Sequence, residues 1–267
     1  MTFGQICDRL WAAGIENYSG EARILVEQIC GVDASLDADL DSPELAAAVE
    51  RRAGGYPLQY IIGKWWLARC EFFVDKNCLI PRPDTESVVE QAVRLLPQGA
   101  EFADLCTGSG CIAISVLDLR PDTRADAYEL FPKTLEIAKK NAAHNKVADR
   151  FCGILGDVLD PMLLGDKKYA AIISNPPYIR RDVVPTLSRE VGYEPRAALD
   201  GGCDGLDFYR AIVENFKSNL ADGGAFIFEI GYDQAADIAL IAQSNGFSCR
   251  IVRDLGGNDR VAILDRQ

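Results

Sequence analysis

The sequence predicts an α/β protein: a mainly parallel sheet covered on both faces by helices, preceded by a small helical domain. Three observations carry this. Strand-like and helix-like segments alternate from residue 84 to the end, the pattern that builds parallel sheets. Residues 2–54 read as helices alone. A glycine-rich turn joins the first strand of the alternation to the next helix. At about 150 residues per domain, 267 residues allow one large domain or a large and a small one. That length buries a core without disulfides or structural metals.

Taken in order, Thr2 caps a helix through about Ala13, and Ser19 caps a second that stops at Gly31. The apolar positions Ile24, Leu25, Ile29 and Cys30 give this second helix its buried face. Ser42 before Pro43 is an N-cap with proline at the first helical position, opening a helix that ends at Gly54-Gly55. Pro57, Gly63, Pro81 and Pro83 then punctuate short strands at Trp65–Leu67, Phe72–Val74 and Cys78–Ile80, read as a hairpin connector. The alternating part begins with a helix at about 85–96 and continues through the strand Phe102–Cys106 to a helix from Cys111. The strand Ala125–Glu129 and a helix at 133–145 follow, then strands at Phe151–Leu155 and Ala170–Ser174. A helix at 207–220, the strand Ala225–Ile230, a helix at 233–245 and strands near 247–252 and 260–264 complete the chain. The domains divide as 1–75 and 76–267. Neither an internal repeat nor a low-complexity segment interrupts them.

Composition removes several classes of function. The hydrophobic share of 48% and charged share of 25% are those of a soluble globular protein. No stretch approaches the roughly 18 uncharged apolar residues of a membrane helix, and MTFGQICDRL lacks the basic start and apolar run of a secretory signal. A net charge of −12 argues against nucleic-acid binding through a broad basic face. The nine cysteines form no C-x-x-C pair, which leaves a zinc ribbon or thioredoxin-like site without support. They are expected as reduced, mostly buried thiols of a cytoplasmic protein. The single histidine, His144, lies in the charged run KKNAAHNK and is expected on a solvent-facing helix surface. Metal sites and triads that need several histidines have no material.

Two segments carry chemistry. Asp104-Leu105-Cys106-Thr107-Gly108-Ser109-Gly110 follows a strand and precedes a helix, where glycines free backbone N–H groups for a ligand. A tight turn alone would also want glycine. The nucleotide-type reading gains weight from Glu129, which ends the next strand about 20 residues on, where an acid can hold ribose hydroxyls. Asp157 adds another acid at a strand's C-terminal end. Ala113 stands where a dinucleotide fingerprint takes its third glycine or an alanine, so spacing alone leaves that class open.

The second segment, Asn175-Pro176-Pro177-Tyr178, follows the fourth strand. A rigid turn would account for the prolines alone. The Asn175 side-chain oxygen and Pro176 carbonyl can also accept both hydrogens of one planar NH₂ group. Tyr178 offers a face for a planar amide or base, and proline stiffness sets the acceptors in advance. That combination suits methylation of an amide-type nitrogen, without metal or histidine.

These residues together resemble the class I S-adenosylmethionine-dependent methyltransferases, and NPPY restricts the resemblance to those acting on adenine N6 or glutamine side-chain amides. QYIIG (59–63), LIPRPDTE (79–86), SNPPYI (174–179), YEPRAALDGGCDGLDFYR (193–210), FEIG (228–231) and DLGGNDRV (254–261) resemble the peptide chain release factor glutamine methyltransferases, the HemK/PrmC family. The resemblance runs from about residue 20 to the end. It implies a Rossmann-like domain with a seven-stranded sheet, its last strand antiparallel, behind an N-terminal helical substrate-docking domain. It implies that Asp104, Thr107, Gly108 and Gly110 hold S-adenosylmethionine, with Glu129 on the ribose and Asp157 and Val158 on the adenine. Asn175 serves both cofactor and substrate. Asn175, Pro176 and Tyr178 are the implied catalytic residues, and Pro177, Pro81, Arg82 and Pro83 border the substrate. The implied partner is a release factor carrying a Gly-Gly-Gln tripeptide, with neither nucleic acid nor membrane. Two residues depart from the family pattern: Cys106 replaces a glycine, and Asp84 stands where glutamate is frequent. Cys106 and Cys111 are read as packing residues. An adenine-N6 enzyme would share NPPY but would want a basic channel and a recognition domain. A catalytically silent scaffold would not need two aimed acceptors.

Overall fold

A computed structural model describes residues 1–33 and 40–266. Contacts divide it into two compact units, Met1–Lys64 with Leu187–Glu194, and Trp65–Thr186 with Pro195–Gln267. In the first unit α1 (Phe3–Ala12) starts in a capping box, Thr2 with Gln5, that satisfies two otherwise orphaned N–H groups. α2 (Tyr18–Cys30) ends at left-handed Gly31 as expected, but begins earlier than expected, at Asn17, whose side chain makes no capping bond. Ser19 therefore lies inside the first turn. The buried face of α2 is Ala22, Leu25 and Val26, shifted from the expected one. α3 (Pro43–Ala53) has the anticipated Ser42 cap and N1 proline. α4 (Leu58–Ile62), a short helix closed by left-handed Gly63, was masked in the sequence by its flanking proline and glycines. Buried Arg52 binds Glu21 through both its Nε and Nη2, and its Nη2 also lies 3.1 Å from Glu190 Oε2. This ties the segment 187–194 into the unit.

The hairpin β1 (Lys64–Leu67) and β2 (Cys70–Phe73) starts at the last residue of the first unit's main stretch and otherwise lies in the second. Cys78–Ile80 is not a strand. Asp75 turns the chain by accepting the Asn77 N–H, and Pro81 and Pro83 lack the donors a ladder needs. After a 3₁₀ turn at Pro83–Thr85 come α5 (Glu86–Leu95), β3 (Glu101–Leu105) and α6 (Cys111–Leu119), then β4 (Arg124–Glu129) and α7 (Pro132–His144). β5 (Phe151–Leu155) and β6 (Tyr169–Ser174) precede α8 (Asp207–Phe216). β7 (Leu220–Glu229), α9 (Ala235–Ser244), β8 (Phe247–Arg253) and β9 (Asp259–Arg266) finish the fold. α8 stops short of the expected 220, and β7 starts there instead, because a 3₁₀ turn at Lys217–Asn219 breaks the helix.

Seven strands form one sheet in the order β5-β4-β3-β6-β7-β9-β8. β9, the last in sequence, is antiparallel to both its neighbours, while the β3–β4, β4–β5, β3–β6 and β6–β7 pairs are parallel. The chain reverses its direction of winding between β3 and β6. The loops leaving their C-terminal ends diverge there, and in open α/β sheets that opens the ligand crevice. Beneath it the core is apolar, with Phe226 and Phe228 stacked at 5.5 Å and Tyr209 edge-on to Phe228.

Candidate active site

The loop after β3 runs through left-handed backbone at Cys106 (φ 57°), Gly108 (φ 58°) and Gly110 (φ 82°). That region costs a residue bearing Cβ about 1–2 kcal/mol and glycine little. At Gly110 an added Cβ would also lie 2.8 Å from Ile114 Cδ1. Asp104, fully buried below the loop, shapes it: its Oδ2 accepts from Thr107 Oγ1 at 2.6 Å and from the Ala113 N–H at 3.2 Å. Among the described residues its buried Oδ1 has no hydrogen-bond partner. Burial pushes this carboxyl up to about 7, against the pull of its Thr107 and Ala113 bonds. The Thr107 N–H donates to Tyr128 O at 3.0 Å and fastens the loop to β4.

Glu129, the last residue of β4, closes the loop from the other side. Its Oε2 accepts the Gly108 N–H at 3.1 Å and its Oε1 the Phe131 N–H at 3.0 Å. Burial raises its pKa, and these donors oppose the rise. The Gly156 N–H donates to Glu129 O at 2.9 Å, bringing the half-buried Asp157 and the buried Val158 to the same edge. A cavity of about 350 Å³ lies among these residues.

At the other wall, Ser174 Oγ donates to Leu105 O at 2.6 Å and joins the ends of β6 and β3. Asn175 and Pro177 line the cavity, whereas Pro176 is buried behind it and Tyr178 lies outside its lining. Among the described residues none hydrogen-bonds the Asn175 side-chain amide. The segment 199–205 braces the turn. The Ile179 N–H donates to Leu199 O at 2.9 Å, the Gly201 N–H to Ile179 O at 2.8 Å, and Gln234 Nε2 to Tyr178 O at 3.1 Å. A Cβ at Gly201 would sit 2.6 Å from Pro177 O, and one at Gly205 2.4 Å from Tyr178 O. Close backbone approach therefore requires these glycines of the GGCDG run.

The strap at 81–85 forms a third wall. Pro81, Arg82 and Thr85 line the cavity, while Pro83 opens the 3₁₀ turn outside it. The cavity thus gathers Thr107, Gly108, Glu129, Asp157, Val158, Asn175, Pro177, Pro81 and Arg82. Asp104, Gly110, Pro83, Pro176 and Tyr178 stand in the shell behind.

Several contributors were not singled out from the sequence. Asn141, fully buried on α7, accepts the Phe73 N–H at 2.7 Å and donates to Ser109 O at 2.8 Å, joining the hairpin to the glycine loop. Thr85, Glu229 and Arg260 lie within the quoted segments LIPRPDTE, FEIG and DLGGNDRV; only Glu229 showed a local signal, a lone charge among apolar neighbours. His144 is exposed on α7 as expected, with Nε2 3.1 Å from Glu71 Oε1 and its ring against Phe73. The thiols are less buried than expected. Cys70 and Cys78 are buried, Cys152 and Cys203 are exposed, and all nine are free. Cys106 and Cys111 both line the cavity, and burial drives both pKa values up, Cys111 to about 12, so they stay protonated.

Residues 3–63 match the PrmC N-terminal domain family and residues 87–191 the methyltransferase small domain family. The chain is 39% identical to a release factor glutamine methyltransferase of Geobacter sulfurreducens, over 93% of this chain and 89% of that one. A protein of the same description from Moorella thermoacetica is 38% identical over 99% of this chain and 97% of its own. Among solved structures, ribosomal protein L11 methylase from Lactobacillus delbrueckii subsp. bulgaricus aligns with a TM-score of 0.52 at 19% identity, over 73% of this chain and 84% of that one. That last likeness is one of fold.

Proposed function

The chain belongs to the release factor glutamine methyltransferase family, and on that premise we propose that it methylates the side-chain amide of the glutamine in a release factor's Gly-Gly-Gln tripeptide, supporting translation termination. The observation that carries this reading is the position of Asn175, an unengaged amide on the wall of the same cavity that Glu129 and the glycine loop enclose.

The residues present suit S-adenosylmethionine. The left-handed glycines bare the loop backbone, Asp104 Oδ1 has no partner among the described residues, and Glu129 and Asp157 put carboxylate acceptors on the wall of the same cavity. Gly108 and Gly110 would approach the cofactor through the backbone, with Thr107 and Asp104 holding the loop. Glu129 would take the ribose hydroxyls, and Asp157 with the Val158 backbone the adenine. When bound, S-adenosylmethionine supplies an electrophilic methyl group whose bond to the sulfonium breaks as the new bond to nitrogen forms.

The chain's own work is positional. The Asn175 side-chain oxygen and the Pro176 carbonyl accept the two amide hydrogens and aim the nitrogen lone pair. Tyr178, its hydroxyl pKa raised by burial and then by Glu229, stays neutral and shapes the slot. Pro81 and Arg82 border it. The methylated amide nitrogen carries one proton too many, is a strong acid, and releases that proton to water. No titrating base is required. Among the described residues no helix is long and apolar enough to cross a membrane. A release-factor substrate supports a cytoplasmic site of action, and the net charge of −12 weighs against a broad nucleic-acid-binding face. Transfer of labelled methyl from S-adenosylmethionine to a purified release factor, with mass spectrometry locating the label, tests the reading. Label on the Gly-Gly-Gln glutamine supports it, and label elsewhere or none overturns it.

A further inference from the structure

We infer that Glu229 is a positioning residue for the reaction, acting through Thr85 to hold the strap at 81–85 against the glutamine slot; this rests on the glutamine-methylation reading above. Thr85 Oγ1 donates to Glu229 Oε2 at 2.7 Å, and both side chains are buried. The two residues are far apart in sequence. One ends β7, the strand beside the one that delivers Asn175, and the other follows Pro81 and Arg82 on the cavity wall. A second arm holds the same strap: Arg260 Nη2 lies 3.3 Å from Asp84 Oδ2, while its Nε lies 3.2 Å from Asp254 Oδ2. Glu229 is 1% exposed, in a site where an acid is costly unless its hydrogen bonds fix something. Burial raises its pKa, with Thr85 and Arg260 opposing the rise. Its backbone is fixed as well, because Tyr209 Oη donates to Glu229 O at 2.7 Å. The residue is therefore a rigid anchor, and the strap hangs from it by one short hydrogen bond. A wall that drifts by about 1 Å in such a site costs on the order of 10² in rate.

Thr85→Val keeps the size of the side chain and deletes the donor, and Thr85→Ser keeps the donor. The measurements are kcat and KM with a release factor, and the dissociation constant of S-adenosylmethionine by calorimetry. The expected result is a kcat for Thr85→Val reduced at least about tenfold, unchanged cofactor affinity, and recovery of most of the parent kcat in Thr85→Ser. A parent-like kcat for Thr85→Val would overturn the inference, as would cofactor affinity lost in step with kcat, which marks a general structural defect. If Thr85→Val does not fold, Glu229→Leu carries the comparison. It deletes the acceptor for Thr85 at similar volume, so a lowered kcat at unchanged cofactor affinity is expected and a parent-like kcat overturns the inference. A parent protein that leaves release factor unmethylated would instead sink the proposed function itself.

Discussion

Cys106 is where local preference and site geometry conflict most openly. Its φ of 57° belongs to glycine, and its side chain packs on the core beneath the loop. In Cys106→Gly, relief of strain offsets the lost contacts and the freer unfolded chain, so stability should stay within about 1 kcal/mol of the parent. Cys106→Val puts a β-branch into the left-handed region and should lose about 2 kcal/mol or more. Urea unfolding of both variants checks this, and a valine variant as stable as the parent contradicts it. Asp104 gives a pH signature. Its folded-state pKa, about 7, lies above the ordinary 3.8. Its stabilising contribution is therefore complete below pH 3.8 and is lost as pH rises through 7, because the folded state binds the extra proton in that window. Asp104→Asn cannot titrate, so its melting temperature should fall less than the parent's between pH 4 and pH 7. Identical slopes would show that Asp104 does not titrate in that range.

At the scale of elements, the hairpin is fastened to the glycine loop through one side chain. Asn141→Ala leaves the Phe73 N–H, Phe73 O and Ser109 O without their partner. Orphaned buried groups cost about 1–3 kcal/mol each, so a loss of about 3 kcal/mol is expected by chemical denaturation. A loss under 1 kcal/mol would mean water replaces the amide. Asn141 also shows what the sequence conceals. KKNAAHNK carries the charges of a solvent-facing helix, and nothing local tells that one amide in it turns inward to a strand far off in the chain. The alternating elements were legible because each repeats its own period. β5 matches its expected limits Phe151–Leu155, and the turns after β3 and β6 were marked by glycine and proline. Cys78–Ile80 misled because it is apolar for another reason: it lines a cavity and is not a strand. The acid at 129 could be found by its distance from the glycines, whereas Thr85, Glu229 and Arg260 could not be matched to one another without the sheet.

At the scale of the whole molecule, the cavity is lined within the second unit alone. The hairpin packs there too, on α6 and α7, so a cut near residue 80 would strip part of that unit. A truncated chain beginning at Trp65 is the cleaner test of the helical unit as a docking element. It should keep its affinity for S-adenosylmethionine within about threefold while its rate on a release factor falls at least about tenfold, since a protein substrate spreads its binding over more surface than one glutamine. Equal rates for the truncated and full chains would remove the docking role. The proposed mechanism depends most directly on Asn175, whose loss would delete the aimed acceptor and leave Gly108, Glu129 and Asp157 in place. The decisive measurement is the single-turnover methylation rate of Asn175→Ala with a release factor, taken beside its cofactor affinity. The expected result is a rate lowered by about 10²–10³ with cofactor affinity nearly unchanged, and a near-parental rate would contradict the amide-positioning account.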